Sequence, residues 1–391
     1  MEKRLMGKSG AEGTILGFGC MRLPLAGPKP DDIDIDLATK MLRTAIDRGV
    51  NYVDTAYPYH SGGTREAPGA SEPFVAQALK NGYREKVHLA TKLPTWMVKS
   101  RAQMNQLLDF QLKRLDVRRI DFYLAHNING TVWDELLALG LREFFDEAVR
   151  DGRILYPSFS FHDSYSLFER VVNSYDWVMA QVQYNYMDED YQAGQAGVRL
   201  AAQKGLAVVI MEPLRGGFLV TQVPQEPQDA LKKVRPDWSL PAWGFNWLWA
   251  QPELQVILSG MSSLEQVEEN LSLADKYVDG LFTEADEQAI GQVRDFFKKR
   301  IKADCTGCGY CLPGPTGVEI PKNLNYLNQY YLFEGDGPRE RCRYFYDIQV
   351  SPPERADKCV ACGQCEEKCP QSLDIPAFLA QTAELYKPQQ A

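Results

Sequence analysis

No stretch of the 391-residue chain approaches 18 uninterrupted apolar residues, so no membrane-spanning helix is expected. Positive charge is not in excess: 43 Lys and Arg stand against 52 Asp and Glu. The resulting net charge of -9 disfavours nucleic acid and anionic membrane as partners. The opening residues Met1-Glu2-Lys3-Arg4-Leu5-Met6-Gly7 lack the apolar core of a secretory signal, so a cytoplasmic protein is expected. Low-complexity segments are missing, and no Gly-x-Gly-x-x-Gly opens the chain. Cysteine is nearly absent from the first 300 residues; Cys20 alone occurs there, and it reads as a packed core residue.

The other eight of the nine cysteines crowd into the tail. Without export, spaced cysteines read as metal ligands and not as disulfides. Two runs stand out, Cys305-x2-Cys308-x2-Cys311 and Cys359-x2-Cys362-x2-Cys365-x3-Cys369-Pro370. The second has the bacterial ferredoxin spacing, in which three close thiolates hold one iron–sulfur cube and a fourth, before proline, completes a cube. Zinc sites rarely use that third close thiolate, although a zinc-stabilised interaction tail is the rival. The first run is followed by Leu312-Pro313-Gly314-Pro315, and in similar sequences a cysteine commonly stands where Gly314 does. If two cubes form and exchange fourth ligands, Cys369 completes one and the other lacks a thiolate. Cys342 is a candidate for that place; a three-iron cluster, an open iron, or a single retained cluster are the alternatives.

Between residues 14 and 300, short β-rich runs alternate with helical stretches. Strands are expected near 15–19, 51–54, 87–91, 120–124, 154–156, 178–182, 206–211 and 256–259. Ala38, Met41, Leu42, Ala45 and Ile46 mark one helical apolar face, and Leu264, Val267, Leu271 and Ala274 another. Eight strand–helix units are the arithmetic of a closed (β/α)8 TIM barrel, with an N-terminal hairpin across its floor. Thr283-Glu284-Ala285-Asp286 has capping-box character and opens a last helix ending near Lys298. The expected division is therefore a barrel over 1–300 and a small, mainly helical ferredoxin-type domain over 301–391, where Leu324, Leu327 and Tyr331 have helical spacing.

Reacting groups of such a barrel sit where its strands end. Those positions hold Asp54, Lys92, His126, Ser160, Gln181 and Glu212, with Gly260 opening the last loop. A Lys and an Asp on adjacent strands would pair, and the ammonium is expected to lower the pKa of the neighbouring Tyr59 phenol. Tyr59 would then serve as general acid towards a carbonyl oxygen, with His126 as second donor.

Asn51-Tyr52-Val53-Asp54-Thr55-Ala56-Tyr57-Pro58-Tyr59 followed by Ser71-Glu72 resembles the Asp-Thr-Ala-x-x-Tyr…Ser-Glu signature of the aldo/keto reductases. Ala90-Thr91-Lys92 and Asp121-Phe122-Tyr123-Leu124-Ala125-His126 match that family's lysine and histidine motifs. The resemblance covers residues 1–300, and the tail resembles the family's iron–sulfur branch. It implies a tetrad of Asp54, Tyr59, Lys92 and His126, with Tyr59 as proton donor while a nicotinamide delivers hydride. It also implies Ser160 and Gln181 at the nicotinamide carboxamide, and Met211 where the family usually stacks an aromatic. The loop Gly260-Met261-Ser262-Ser263-Leu264-Glu265-Gln266 through Glu269 and Asn270 matches the family's phosphate and adenosine loop. Ser263 and Gln266 also have the spacing to cap each other.

Gly260 and Gln266 stand where many members carry Lys and Arg against the 2′-phosphate, which weakens discrimination for the phosphorylated cofactor. Either NADP(H) or NAD(H) is expected, with 4Fe-4S clusters, two or at least one. The implied function is reduction of a small aldehyde or ketone, or oxidation of the alcohol. A ferredoxin- or flavodoxin-like carrier is a candidate partner for the clusters. The alternative is an electron-transfer or redox-sensing protein whose barrel only binds nucleotide.

Overall fold

The computed structural model describes residues 1–62, 65–221, 223–305, 309, 311–332, 335–369 and 371–387. The chain divides into two compact units, Met1–Arg215 with Pro241–Phe282, and Gly216–Leu240 with Thr283–Ala391.

In the first unit, β1 (Lys3–Leu5) and β2 (Glu12–Thr14) form an antiparallel hairpin. Eight parallel strands follow: β3 (Leu16–Gly19), β4 (Tyr52–Asp54), β5 (His88–Leu93), β6 (Ile120–Ile128), β7 (Ile154–Phe161), β8 (Met179–Gln183), β9 (Ala207–Met211) and β10 (Val256–Gly260). They close in chain order, β10 pairing with β3. Every strand expected from the sequence is present. β5, β6 and β7 run further than their expected stretches, because pairing with the neighbouring strands continues to Leu93, Ile128 and Phe161.

Tyr52, Phe122, Leu124, Met179, Val209 and Val256 fill the barrel as one core, and Met6, from the hairpin, is buried with them. Burying one such side chain contributes about 1.5–3 kcal/mol towards seating the hairpin on the barrel floor. Outside, the helix Ile35–Asp47 buries the expected stripe, and Asp34 caps it by accepting from the Leu37 N–H at 3.0 Å.

The second unit contains no β-strand among its described residues. Helices Gln225–Val234 and Glu284–Lys298 pack together, and the capping box at Thr283 is formed. Arg235 holds the buried Asp286 carboxylate with two bonds of 2.7–2.8 Å. The helix assigned by sequence to the end of the barrel region thus groups with residues 216–240 and the tail. Beyond it, helices Ile320–Leu332 and Ile375–Leu385 bury Leu324, Leu327, Ile375 and Leu379 in one core with Cys311 and Cys365.

Candidate active site

Asp54 ends β4, and Lys92 lies near the end of β5, where the strand pairs with β6. The buried Lys92 ammonium reaches both Asp54 carboxylate oxygens at 2.7 Å and the Thr55 carbonyl at 2.9 Å. Its remaining neighbour is the Tyr59 hydroxyl at 3.2 Å. Three of the four tetrad residues therefore share one hydrogen-bonded group.

Tyr59 is on the loop after β4, and that loop folds back on itself. The Tyr59 carbonyl accepts from the Ser71 N–H, and the Gly69 N–H donates to Tyr57. A Cβ at Gly69 would collide with the Tyr59 carbonyl, so glycine is required there by close approach. His60 pins the turn: its Nε2 accepts from the Leu23 N–H at 3.2 Å, and its Nδ1 donates to the Pro30 carbonyl at 2.7 Å. Ser71 and Glu72 open the next helix, Ser71–Ala78. The buried Glu72 carboxylate takes bonds from Thr91, Gln111 and Arg114, at 2.8, 2.6 and 2.9 Å. The Ser-Glu pair is thus a clamp between this helix and β5.

His126 is aimed by an irregularity in β6. Ala125 pairs with Phe159 and Ile128 with Phe161, leaving His126 and Asn127 opposite the single residue Ser160. Asn127 takes a left-handed backbone with φ 56°, and its N–H donates to the Ser160 hydroxyl at 2.8 Å. Such a bulge redirects a side chain at the barrel rim. The His126 ring lies edge-on to Tyr59, centroids 6.2 Å apart, and beside Trp96 at 5.1 Å. His126 Nδ1 and Trp96 Nε1 are both buried without a hydrogen-bond partner.

Electrostatics correct one expectation. Burial holds the Tyr59 phenol above its ordinary pKa; Lys92 pulls it down without reversing the shift, and Asp54 works against Lys92. Burial likewise raises Asp54 against the pull of Lys92. Lys92 is pushed down by burial, but Asp54 and then Tyr59 outweigh that and hold it charged. His126 falls well below its ordinary value through burial, then through Lys92, His162 and Arg65. The resting group is therefore a neutral phenol and a neutral imidazole beside an ion pair. Cys20 is buried, its thiol pushed up by burial, in keeping with a packing role.

Ser160 pairs in register with Gln181, and Gln183 with Met211. The Gln181 Nε2 lies 3.8 Å from the Met211 sulfur, while its Oε1 is buried without a partner. An orphaned amide oxygen beside a polarizable thioether fits the carboxamide edge and face of a nicotinamide. At the end of β10, the Ser262 N–H donates to Gln266 Oε1 at 2.8 Å, and Ser263 accepts from the Gln266 N–H at 3.4 Å. Ser263 and Gln266 thus cap the helix Leu264–Lys276. Glu269 is half-buried on that helix, and Asn270 donates to Ser259 at 3.0 Å within the packing. Sequence reasoning missed Arg22: its stem lies against Gly260, where a Cβ would meet it at 3.2 Å. Its place just past β3, in Gly19-Cys20-Met21-Arg22, was the available signal.

The profile of the Aldo/keto reductase family matches residues 15–287, across the barrel and its site. The chain belongs to the aldo/keto reductase family. The chain is 26% identical over 307 residues to the uncharacterized oxidoreductase YqkF of Bacillus subtilis, covering 70% of this chain and 91% of that protein. It is 27% identical over 221 residues to the probable aldo-keto reductase 1 of Glycine max, covering 54% of this chain and 59% of that protein. Among solved structures, the holo form of aldo-keto reductase AKR11C1 from Bacillus halodurans matches with a TM-score of 0.60. It shares 26% identity and covers 75% of this chain and 96% of that one. Residues 304–373 of this aldo/keto reductase match a 4Fe-4S dicluster domain, which supports an iron–sulfur cofactor. No helix of the described residues is long and apolar enough to cross a membrane.

Six of the described tail cysteines, all but Cys342, line two cavities. One is bounded by Cys359, Cys362 and Cys365, with Cys311 and Gly314 also on its wall. The other is bounded by Cys305, Cys311 and Cys369. Cys308 and Pro370 lie outside the described residues. No three His, Cys, Asp or Glu side chains among the described residues converge as a site for one metal ion. Thiols set around a small cavity with mostly apolar walls are instead the donor set an iron–sulfur cluster requires. Cys342 is not brought to either cavity. It lies on the helix Asp336–Gln349, buried with Tyr326, Tyr346, Val350 and Tyr386.

Proposed function

We propose that this protein reduces a small aldehyde or ketone, or oxidises the corresponding alcohol, with NAD(P)H as hydride donor. The observation that carries this reading is the 3.2 Å approach of Lys92 to the Tyr59 hydroxyl within a buried ion pair. Bound nicotinamide would supply the hydride; the residues supply the proton and the orientation. Tyr59, protonated at rest, gives its proton to the carbonyl oxygen as negative charge gathers there. Lys92 stabilises the phenolate left behind, and Asp54 keeps Lys92 charged and aimed. His126, neutral, has a polar atom without a partner to orient the carbonyl. Ser160, Gln181 and Met211 would hold the nicotinamide, with Arg22 beside the phosphate loop.

Tyr59→Phe should lower turnover by orders of magnitude while NAD(P)H affinity stays near wild type, measured by fluorescence titration. Equal loss of both would make Tyr59 structural. If no carbonyl compound in a broad panel oxidises the bound cofactor, the barrel only binds nucleotide.

The second unit carries two 4Fe-4S clusters in this reading. A cube passes one electron whereas nicotinamide passes a hydride, so the clusters serve an external one-electron carrier or sense redox state. Stopped-flow mixing with reduced ferredoxin tests the carrier role; absence of electron exchange removes it.

A further inference from the structure

We propose that the cube held by Cys359, Cys362 and Cys365 has one iron without a protein ligand, the iron facing Gly314, and that this iron is lost and regained alone. The inference rests on the iron–sulfur reading of the second unit. A cube needs one ligand for each of four irons, and the close-spaced run supplies three. The fourth cysteine of that run, Cys369, lines the other cavity, with Cys305 and Cys311. The reciprocal ligand should come from the first run, and there the chain reads Gly314-Pro315, three residues past Cys311, whereas the second run has Cys369-Pro370, four residues past Cys365.

The cavity wall agrees. Pro313, Gly314, Pro315 and Thr316 border the cavity of Cys359, Cys362 and Cys365 and bring no thiol to it. The other polar side chains there are Gln364 and Lys368, an amide and a cation, neither a thiolate. Cys311 reaches this wall too, but it is also the third thiol of the first run and borders the other cavity. Cys342, the remaining tail thiol among the described residues, is buried among tyrosines in a separate cluster. A Cβ built on Gly314 meets nothing within 4 Å, so the missing side chain has room.

The chemistry balances. A [4Fe-4S]2+ cube gives up one electron to a one-electron oxidant and releases the unligated iron as Fe2+, leaving [3Fe-4S]+. Its three irons keep the thiolates of Cys359, Cys362 and Cys365. Fe2+ with a one-electron reductant reverses the step. The unit then reports iron and oxidant through one corner of one cube.

The test uses full-length protein purified anaerobically, with iron and sulfide counted first. Low-temperature EPR and a ferrous chelator then follow addition of ferricyanide. Wild type should develop a three-iron signal with matching Fe2+ release, both reversed by Fe2+ and dithionite. Gly314→Cys should abolish signal and release, whereas Gly314→Ala and Cys342→Ser should behave as wild type. A wild type that forms no three-iron signal overturns the proposal, even if Gly314→Cys does not fold. So does a Gly314→Cys protein that converts as readily as wild type, or a Cys342→Ser protein that converts when wild type does not. Protein that holds neither iron nor sulfide after anaerobic reconstitution removes the iron–sulfur reading itself, which the initial count separates from the other outcomes.

Discussion

Replacing Lys92 by Met removes the ammonium while keeping most of the stem, and it leaves the Asp54 carboxylate enclosed without the donor that bonds both its oxygens. At 2.7 Å and an effective dielectric of about 20, the attraction lost is about 6 kcal/mol before solvation is counted. Desolvation offsets part of this, and breaking a buried pair on one side costs about 3–5 kcal/mol. Protonation of Asp54, already favoured by burial, limits the loss. Changing both partners, Asp54→Asn with Lys92→Met, leaves no enclosed charge and should recover all but about 1 kcal/mol. With about 3 kcal/mol lost in each single variant and about 1 in the pair, the expected coupling energy is about 5 kcal/mol. Tryptophan fluorescence in a urea series reads it, since Trp96, Trp133, Trp177, Trp243, Trp247 and Trp249 all belong to the barrel unit and Trp238 alone does not. Carbonyl-dependent NADPH oxidation, followed in parallel, should stay lost in the double variant, because Tyr59 still lacks its ammonium. A double variant as unstable as the sum of the two singles would refute the argument. So would one that regains turnover.

Two further outcomes follow from the site. Because an acid must be protonated to act and burial keeps the Tyr59 phenol above its ordinary value, kcat/KM should stay level through neutral pH and fall only above about 10. His126, kept neutral chiefly by burial, should add no limb between about pH 6.5 and 8; a break there that His126→Asn removes would contradict this. Arg22→Ala should weaken NADPH binding about tenfold more than NADH binding, the scale of one charged hydrogen bond to phosphate. Equal weakening in a fluorescence titration would place the Arg22 guanidinium away from the 2′-phosphate.

Much of the barrel was legible because its strands are β-branched runs spaced by amphipathic helices, a pattern that needs no knowledge of partners. The residues at the strand ends were legible for the same reason. What escaped depends on three-dimensional register and depth. The bulge that turns His126 exists only in the pairing of β6 with β7, where two residues face Ser160. The direction of the Tyr59 shift was misjudged because spacing reveals the charge of Lys92 but not how far both groups lie from solvent. Counting thiols made Cys342 a ligand candidate; the tyrosines that enclose it come from its own helix (Tyr346), from the preceding helix (Tyr326) and from the end of the last helix (Tyr386). The grouping of 216–240 with the tail was hidden likewise, resting on pairs such as Arg235 with Asp286.

That grouping has a consequence for how the polypeptide is made and how it can be cut. The segment Gly216–Leu240 is synthesised in the midst of the barrel, before strand β10, yet its companion helix Glu284–Lys298 emerges only later. A nascent chain must therefore carry this segment unassembled until the C-terminal third arrives. Trimming the gene after residue 282 would strand it, with Arg235 deprived of its carboxylate. A reductase freed of its iron–sulfur appendage calls for excision of both stretches and a linker that joins Arg215 to Pro241.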